Sequence, residues 1–181
     1  VGASDIHLHD TYYVIGHFHY VVAPGTIFAL FAGIYYWFPK MTGRKMSEAL
    51  GKLHFWPSLI FMNGIFLPMF IQGLAGVSRR LYDGGQSYAH AQDVLQWNEF
   101  MSISAFCLAA AQIPFFINIF VSMFNGEKVG RNPWQSTTIE WSAPSPPLPH
   151  RNFENQVEVY RGPYEYSVPG ADKDFSPQTE K

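Results

Sequence analysis

Charged side chains are absent from three long stretches of this 181-residue sequence. None occurs at positions 11–39, 53–78 or 100–126, which are 29, 26 and 27 residues long. A helix needs about 20 predominantly apolar residues to cross the hydrocarbon core of a bilayer. Each stretch is long enough to do so, and together they leave no core of ordinary proportions for a soluble globular domain. The sequence therefore excludes that class of protein.

Cysteine and surplus positive charge are also scarce. Cys107 is the one cysteine and lies in an apolar stretch, so no internal disulfide can form. Lys and Arg number 12 against 14 Asp and Glu, a net charge of -2 that gives no reason to expect nucleic acid as a partner. The first residues show no Met, basic region or cleavage signature. We therefore expect a fragment, or one piece of a split protein.

The three uncharged stretches predict an all-α integral membrane protein with three transmembrane helices, at about 11–38, 52–77 and 97–125. Residues 1–10 precede the helices as a polar segment on the outer side. Residues 127–181 carry 14 of the 26 charged side chains and 8 of the 13 prolines. This composition predicts an extended polar tail that lies on a partner or on the membrane face, rather than a packed domain.

Basic residues predict the orientation in the membrane. They are concentrated after the first and third helices, at Lys40, Arg44, Lys45, Lys52, Lys128 and Arg131. The positive-inside rule assigns these ends, and the tail, to the cytoplasmic side of a bacterial plasma membrane or to the matrix side of a mitochondrial inner membrane.

Two histidines lie inside the first predicted helix, in the sequence His17-Phe18-His19. Ionisable residues within a membrane span are candidates for function. Positions i and i+2 of a helix are separated by roughly 200° around its axis, so the two imidazoles point to opposite sides. They suit two separate planar cofactors, and haem is the natural candidate because one His is a common axial ligand. The alternative is that both are hydrogen-bonded histidines between helices.

A second polar cluster, His9-Asp10, lies at the outer end of the same helix, eight residues before His17 and so about 12 Å from it along the axis, at about 1.5 Å per residue. An imidazole beside a carboxylate could share a divalent cation, and oxygen-rich coordination with waters suits Mg²⁺ or Mn²⁺. The pair Asp10-Thr11 also reads as ordinary capping of a helix N-terminus. From these residues alone, capping is the more economical interpretation.

Two adjacent arginines, Arg79 and Arg80, follow the second uncharged stretch. Their guanidinium groups could pair with carboxylates of a cofactor, such as haem propionates, and Asp5 could join that network by hydrogen bonding. The alternative is a simple interfacial anchor.

The run DIHLHDTYYVIGHFHY, residues 5–20, closely resembles the tenth helix of subunit I of the haem-copper cytochrome c oxidases. Later segments agree in order, namely WFP at 37–39, KLHF at 52–55, GLAG at 73–76 before the arginine pair, and EW at 140–141 before a proline cluster. The resemblance covers residues 5–149, the last three helices of a twelve-helix subunit. Gly16, where relatives often carry alanine, departs slightly and would allow close approach of a cofactor ring.

The resemblance implies roles for the candidate residues. His17 resembles the proximal ligand of the high-spin haem a3, and His19 resembles an axial ligand of the low-spin haem a; both are haem A. His9 and Asp10 resemble magnesium ligands at the interface with subunit II. Binding of haem propionates is implied for the remaining three residues, Asp5, Arg79 and Arg80. Copper B belongs to the same active site, but its ligands come from earlier helices outside this chain.

The implied function is that of a terminal respiratory oxidase. Electrons from cytochrome c would pass through haem a to the haem a3–copper centre, which reduces O2 to water, and the family couples this to proton pumping. The implied partners are the remainder of subunit I, subunit II with copper A, subunit III, cytochrome c and the lipid bilayer. The chain would be active only with those parts.

Three other functions are compatible with the sequence. A quinol oxidase resembles this region but often continues into further membrane helices, whereas the sequence after Glu127 is polar. A membrane electron carrier with two haems would fill both axial positions of each iron. A structural membrane subunit would hold no cofactor at all.

Overall fold

A computed structural model of the chain describes residues 1–150, 152–153, 155–165, 169–170, 172 and 175–181. The helices in this part are α1 (Gly2–Leu8), α2 (Tyr12–Val22), α3 (Ala29–Thr42), α4 (Glu48–Leu74), α5 (Gln96–Ala111) and α6 (Ile113–Asn125). Three continuous helical segments are long and apolar enough to cross a membrane: Tyr12–Thr42, Glu48–Leu74 and Gln96–Asn125. The predicted all-α architecture with three transmembrane helices is therefore confirmed.

Proline changes the helical geometry within the first span but does not end the span. A π-helical segment, Ala23–Phe28, joins α2 to α3 and contains Pro24 close to its start. Proline supplies no N–H to the helix ladder, and a π-helical turn is one way to accommodate that loss. The span continues beyond Pro39 and ends at Thr42, four residues later than the predicted boundary. Gly43, with a φ of 70°, then reverses the chain.

The second span ends earlier than its hydrophobicity suggests, because a glycine cap stops it. Gly76 has a φ of 81° and donates its N–H to the Gly73 carbonyl at 3.0 Å, while the Val77 N–H bonds the Gln72 carbonyl at 3.0 Å. This pair of hydrogen bonds is a Schellman motif, which satisfies the last carbonyls of a helix. The apolar run continues through the cap, so hydrophobicity alone extends the helix too far.

The loop after α4 is ordered by Asp83. Its carboxylate accepts hydrogen bonds from the Ser87 hydroxyl, from the Ser87 N–H at 2.9 Å and from the Gly85 N–H at 2.9 Å. These donors stabilise the ionised form and hold the pKa of Asp83 below its ordinary value. A 3₁₀-helix, Ala89–Val94, then leads into α5.

The chain divides into two compact units, residues 1–32 with 48–118 and residues 33–47 with 119–181. In the first unit α4 packs against α2 on one side and against α5 on another. Apolar residues that are buried there include Met62, Val77, Ala91, Met101 and Phe115.

The second unit contains a short antiparallel ribbon and the polar tail. Strand β1 (Arg44–Lys45) pairs with β2 (Glu127–Lys128), with Arg44 opposite Lys128 and Lys45 opposite Glu127. The tail has one 3₁₀-helix in the described residues, Ile139–Ser142.

Part of this tail folds onto its own chain. The buried Lys40 ammonium donates to the carbonyls of Arg131, at 3.0 Å, and Ala143, at 2.7 Å, and lies 5.1 Å from the ring centre of Trp141. Carbonyl oxygens and an aromatic face together stabilise the buried cation. The tail segment 131–143 therefore contacts α3 instead of lying only on a partner.

Candidate functional site

The start of α2 and the end of α4 are joined by main-chain hydrogen bonds. The Tyr12 N–H donates to the Val77 carbonyl at 3.0 Å, and the Arg79 N–H donates to the Asp10 carbonyl at 2.9 Å. Between these bonds Thr11 and Ser78 form an antiparallel bridge. We call this junction the Asp10 end of the spans. It brings together two groups of predicted site residues that lie almost 70 positions apart in the sequence.

Asp10 is the centre of this junction. Its carboxylate forms an ion pair with the Arg79 guanidinium, and its Oδ2 lies 3.3 Å from His9 Nε2. His9 Nδ1 is 3.7 Å from an Asp5 carboxylate oxygen. The side chains of His9, Asp5 and Asp10 are 68%, 64% and 55% exposed, so solvent screens the charges strongly. The geometry links three of the predicted residues in one exposed cluster.

Capping of α2 belongs to Thr11 and not to Asp10. The Thr11 hydroxyl accepts the Tyr13 N–H at 3.3 Å and donates to the Leu8 carbonyl at 2.7 Å. Asp10 has a φ of 54°, which turns the chain between α1 and α2 and leaves its carboxylate directed to Arg79. The capping predicted for the pair Asp10-Thr11 is therefore supplied by Thr11 alone, while the Asp10 carboxylate forms the ion pair with Arg79.

The two adjacent arginines have different surroundings. The side chain of Arg79 is 27% exposed, and its Nε is buried without an acceptor among the described residues. Arg80 is exposed and has a φ of 65°. A buried donor without an acceptor is unfavourable, and an anionic acceptor at Arg79 would remove that penalty. Both arginines lie at the Asp10 end, as their predicted role requires.

The His19 ring is oriented by two contacts. Its Nδ1 is 2.8 Å from the Ile15 carbonyl oxygen one turn earlier. A carbonyl oxygen can only accept, so Nδ1 carries the hydrogen and the lone pair is on Nε2. The ring also stacks on Phe66 of α4, with centroids 4.6 Å apart and planes inclined by 13°. The half-buried His19 is thus oriented so that Nε2 is the ring nitrogen that could ligate a metal.

His17 has a different environment from His19. It is exposed, and its ring has no hydrogen-bond partner in the part of the chain that the structure describes. The hypothesis that both histidines are hydrogen-bonded between helices does not describe either one, because His19 bonds within its own helix. His17 and His19 are presented to separate surroundings, as the roughly 200° separation predicts.

Gly16 permits close packing of helices rather than approach of a cofactor ring. It is buried against α4, where an added Cβ would lie 3.2 Å from the Phe66 carbonyl oxygen and 3.3 Å from Met69 Cβ. Contacts tighter than about 3.4 Å require the neighbouring atoms to move. The nearest approach at Gly16 is therefore the α4 backbone, which corrects the sequence-based expectation.

Gly73 is a site-forming residue that sequence reasoning identified only as part of a motif. A Cβ at this position would overlap the Tyr13 main-chain nitrogen and lie 2.5 Å from Tyr13 Cβ. Only glycine allows α2 and α4 to approach this closely at the Asp10 end. Phe66 and Gly73 are seven positions apart, about two helical turns, and this spacing is the sequence signal for one α4 face directed at α2.

The described residues contain no group of three or more His, Cys, Asp and Glu side chains arranged to hold a metal ion. His9 and Asp10 are adjacent, but a divalent cation that prefers six oxygen-rich ligands needs more than this pair. Any such ion would have to take its other ligands from water or from another chain.

Comparison with known proteins identifies the family. The family model described as "Cytochrome C and Quinol oxidase polypeptide I" matches residues 1–128. The chain is 49% identical over 166 residues to cytochrome c oxidase subunit 1 of Synechocystis sp., covering 91% of this chain and 28% of that protein. It is 41% identical over 177 residues to the alternative cytochrome c oxidase subunit 1 of Bradyrhizobium diazoefficiens, covering 97% of this chain and 30% of that protein. This chain thus spans less than a third of the length of these relatives. It belongs to the family of cytochrome c and quinol oxidase polypeptide I.

Proposed function

We propose that this chain, together with the rest of subunit I, forms the catalytic subunit of a terminal respiratory oxidase and supplies one axial ligand to each of two haems. The observation that carries the proposal is the pair of histidines on α2. His19 is anchored through Nδ1, which leaves Nε2 to face a ligand, and His17 is exposed on another side of the helix. Family membership makes haem the planar cofactor to test.

The residues present fit haem A. Each histidine offers one imidazole to an iron, His19 to low-spin haem a and His17 to high-spin haem a3. The buried, unpartnered Nε of Arg79 suits a propionate oxygen, and Arg80 and Asp5 complete the polar surroundings. When bound, the haems and copper B supply the one-electron and oxygen chemistry. The chain itself orients the imidazoles and neutralises the propionates.

His19 would hold its iron in a defined orientation because two contacts restrict its ring. The bond to the Ile15 carbonyl fixes the tautomer, and the Phe66 ring lies parallel to the imidazole. Hydrogen bonding of the second ring nitrogen commonly orients a metal-bound histidine and raises its basicity. His17 has neither contact, which leaves its orientation to the surroundings that the rest of subunit I provides.

The overall reaction that we propose is transfer of electrons from cytochrome c through haem a to the haem a3–copper site, where O2 is reduced to water with proton pumping. Subunit II with copper A, subunit III and the remainder of subunit I are the proposed partners. A quinol donor is the second candidate, because the matched family includes quinol oxidases. We place the tail on the cytoplasmic or matrix side, in accord with the basic residues that follow Thr42 and Asn125.

Optical spectra of the complete complex test the haem roles. We expect reduced-minus-oxidised spectra to show haem A with one population that binds carbon monoxide and one that does not. His19→Ala should remove the low-spin signal and spare the carbon monoxide-binding haem, while His17→Ala should do the reverse. Two haems inert to carbon monoxide would instead identify an electron carrier, and no haem would identify a structural subunit.

Comparing turnover with reduced cytochrome c and with a quinol distinguishes the two donors. Cytochrome c is the expected donor, and oxidation of the quinol alone would support the second candidate.

We also propose that His9 and Asp10 bind Mg²⁺ at the interface with subunit II. The supporting observation is that the Asp10 carboxylate is exposed and takes no part in capping. The ion pair between Asp10 and Arg79 competes with a cation. Metal binding therefore requires that the two carboxylate oxygens of Asp10 be shared between Arg79 and the cation.

Electron paramagnetic resonance of Mn²⁺-substituted complex tests the metal site. Asp10→Ala should abolish the bound Mn²⁺ signal and leave the haem content nearly unchanged. Asp5→Ala provides a matched control, because Asp5 lies in the same exposed cluster without an assigned metal role. An unchanged Mn²⁺ signal in the Asp10 variant would contradict the assignment.

A further inference from the structure

The β-ribbon of the second unit contains an unusual charge arrangement. Arg44 of β1 lies directly opposite Lys128 of β2. Opposite residues of an antiparallel pair have Cβ atoms about 5 Å apart, where like charges are destabilising. The four ribbon residues comprise three cations and one acid, Glu127, which is opposite Lys45. Neither Arg44 nor Lys128 forms an ion pair with an acidic residue in the described part of the chain.

The ribbon position is fixed by its neighbours. The Arg44 guanidinium donates from Nη1 to the Gly126 carbonyl at 2.8 Å, and the Arg44 main-chain N–H donates to the Thr42 hydroxyl at 3.2 Å. An added Cβ at Gly126 would overlap the Ser122 carbonyl oxygen and lie 2.8 Å from the Lys45 carbonyl oxygen. The two cations are therefore held opposite each other by a tightly packed backbone.

This ribbon lies where two membrane spans end. It follows Thr42, the last residue of a 31-residue span, and Asn125, the last residue of a 30-residue span. At about 1.5 Å per residue the spans measure about 45 Å, which matches a bilayer with both headgroup layers included. The ends of the spans, and the ribbon after them, therefore reach the level of lipid phosphates.

We propose that Arg44 and Lys128 bind the phosphate group of an anionic phospholipid between them. Arg44 uses one of its five N–H donors on Gly126, so further donors remain for a phosphate oxygen. The exposed Lys128 supplies a point charge from the opposite strand, and Arg131, three residues later, is also exposed. The positive-inside rule accounts for basic residues on this side of the membrane but not for two of them facing each other across a rigid ribbon.

Lys45 and Trp134 support a position at the membrane interface. The Lys45 ammonium lies 5.1 Å from the centre of the Trp134 ring. Tryptophan is enriched at the headgroup level, where its ring is apolar and its N–H is polar. Trp134, whose N–H donates to the Tyr36 carbonyl at 2.9 Å, is thus an aromatic residue beside Lys45 of the ribbon and of the kind that borders lipid headgroups.

The test uses the complete complex in nanodiscs of phosphatidylcholine containing a minority of spin-labelled phosphatidylglycerol. The fraction of motionally restricted label reports its association, with spin-labelled phosphatidylcholine as the reference lipid. We expect the native complex to prefer phosphatidylglycerol and Lys128→Gln to weaken that preference about fivefold, which corresponds to about 1 kcal/mol per basic residue near an anionic surface. Glu127→Gln, which removes the one acid of the ribbon, should strengthen the preference.

Lys181→Gln is the charge-matched control, because Lys181 lies over the Tyr160 ring and belongs to no ribbon strand. An equal effect of Lys181→Gln would overturn the proposal, since the preference would then depend on net charge alone. Displacement of the labelled lipid by inorganic phosphate at constant ionic strength would also overturn it, by identifying free phosphate as the ligand.

Thermal stability provides a second measurement. In phosphatidylcholine alone, Lys128→Gln removes the repulsion from Arg44 and should maintain or raise the unfolding midpoint. With phosphatidylglycerol present the same variant should be less stable than the native complex. If the native complex shows no lipid preference and the variant loses a subunit on native gels, the ribbon binds a protein partner and the lipid proposal fails.

Discussion

The two faces of α4 in the first unit pack in different ways. Towards α2, contact depends on close main-chain approach at Gly16 and Gly73 and on aromatic rings such as Phe66. Towards α5 and the turn after it, buried polar side chains bond to half-buried ones: Gln72 Nε2 donates to Asn98 Oδ1 at 2.8 Å, and His54 Nε2 is 3.0 Å from Gln112 Oε1.

The difference distinguishes structural histidines from candidate ligands. His54 is 3% exposed, bonded to Gln112 and in ring contact with Phe31 and Phe115. His17 is exposed on α2, and His19 bonds the Ile15 carbonyl through Nδ1 and has no hydrogen bond at Nε2 among the described residues. Polar groups within a membrane need partners, so the hydrogen-bonded His54 has a packing role, and His17 and His19 are the two histidines that we propose as ligands.

Among the substitutions that test the two faces of α4, Gly73→Ala should have the largest effect on stability. The new methyl group would overlap the Tyr13 backbone, so α2 and α4 would have to separate at the Asp10 end. Overpacking of this kind costs about 3 kcal/mol in the free energy of unfolding. The measurement is the thermal midpoint and haem content of the assembled complex.

Gly25→Ala is the matched control for that change, since among the described residues no atom beyond its own stretch of backbone lies within 4 Å of a Cβ added at Gly25. If Gly73→Ala and Gly25→Ala lowered the thermal midpoint equally, the role of Gly73 would be helix flexibility and not close approach to α2.

His54→Leu tests the α5 side and should have an intermediate effect. It removes the bond to Gln112 and leaves a buried amide oxygen without that donor, although Gln112 still donates to Ser58 Oγ at 3.0 Å. The expected loss is about 2 kcal/mol in unfolding free energy. Both haem signals should persist in optical spectra of the folded complex. Loss of either haem would assign His54 to a cofactor and remove the distinction between the two faces.

Tyr20→Phe should have the smallest effect. The Tyr20 hydroxyl donates to Asn63 Oδ1 at 2.6 Å, a side-chain bond between α2 and α4. Asn63 keeps its own bond to the Leu59 carbonyl at 2.8 Å, so we expect a loss of about 1 kcal/mol. The thermal unfolding midpoint of the complex measures this loss of stability. A loss larger than that of His54→Leu would mean that hydrogen bonds, rather than close backbone packing, dominate the α2–α4 interface.

Sequence reasoning identified the three spans, because charge-free stretches of this length have few alternatives. It also separated His17 from His19 around one helix, since that separation depends only on helix geometry. It predicted capping by the pair Asp10-Thr11 but did not decide which side chain supplies it, because Asp and Thr are both good N-caps and adjacent positions are hard to distinguish. Nor did it find the role of Gly16, which depends on which helix lies against it.

The sequence by itself determined that this chain crosses a membrane three times and presents two imidazoles from one helix to different surroundings. Periodicity and hydrophobicity are local properties, and they are sufficient for those conclusions. Only the tertiary structure decided that Asp10 meets Arg79 and that Arg44 faces Lys128. It also decided that His54 bonds Gln112, while the His17 ring has no hydrogen-bond partner among the described residues. Such pairings depend on how segments distant in the sequence pack against each other. The distance between their backbones and their register are not encoded in any local sequence pattern.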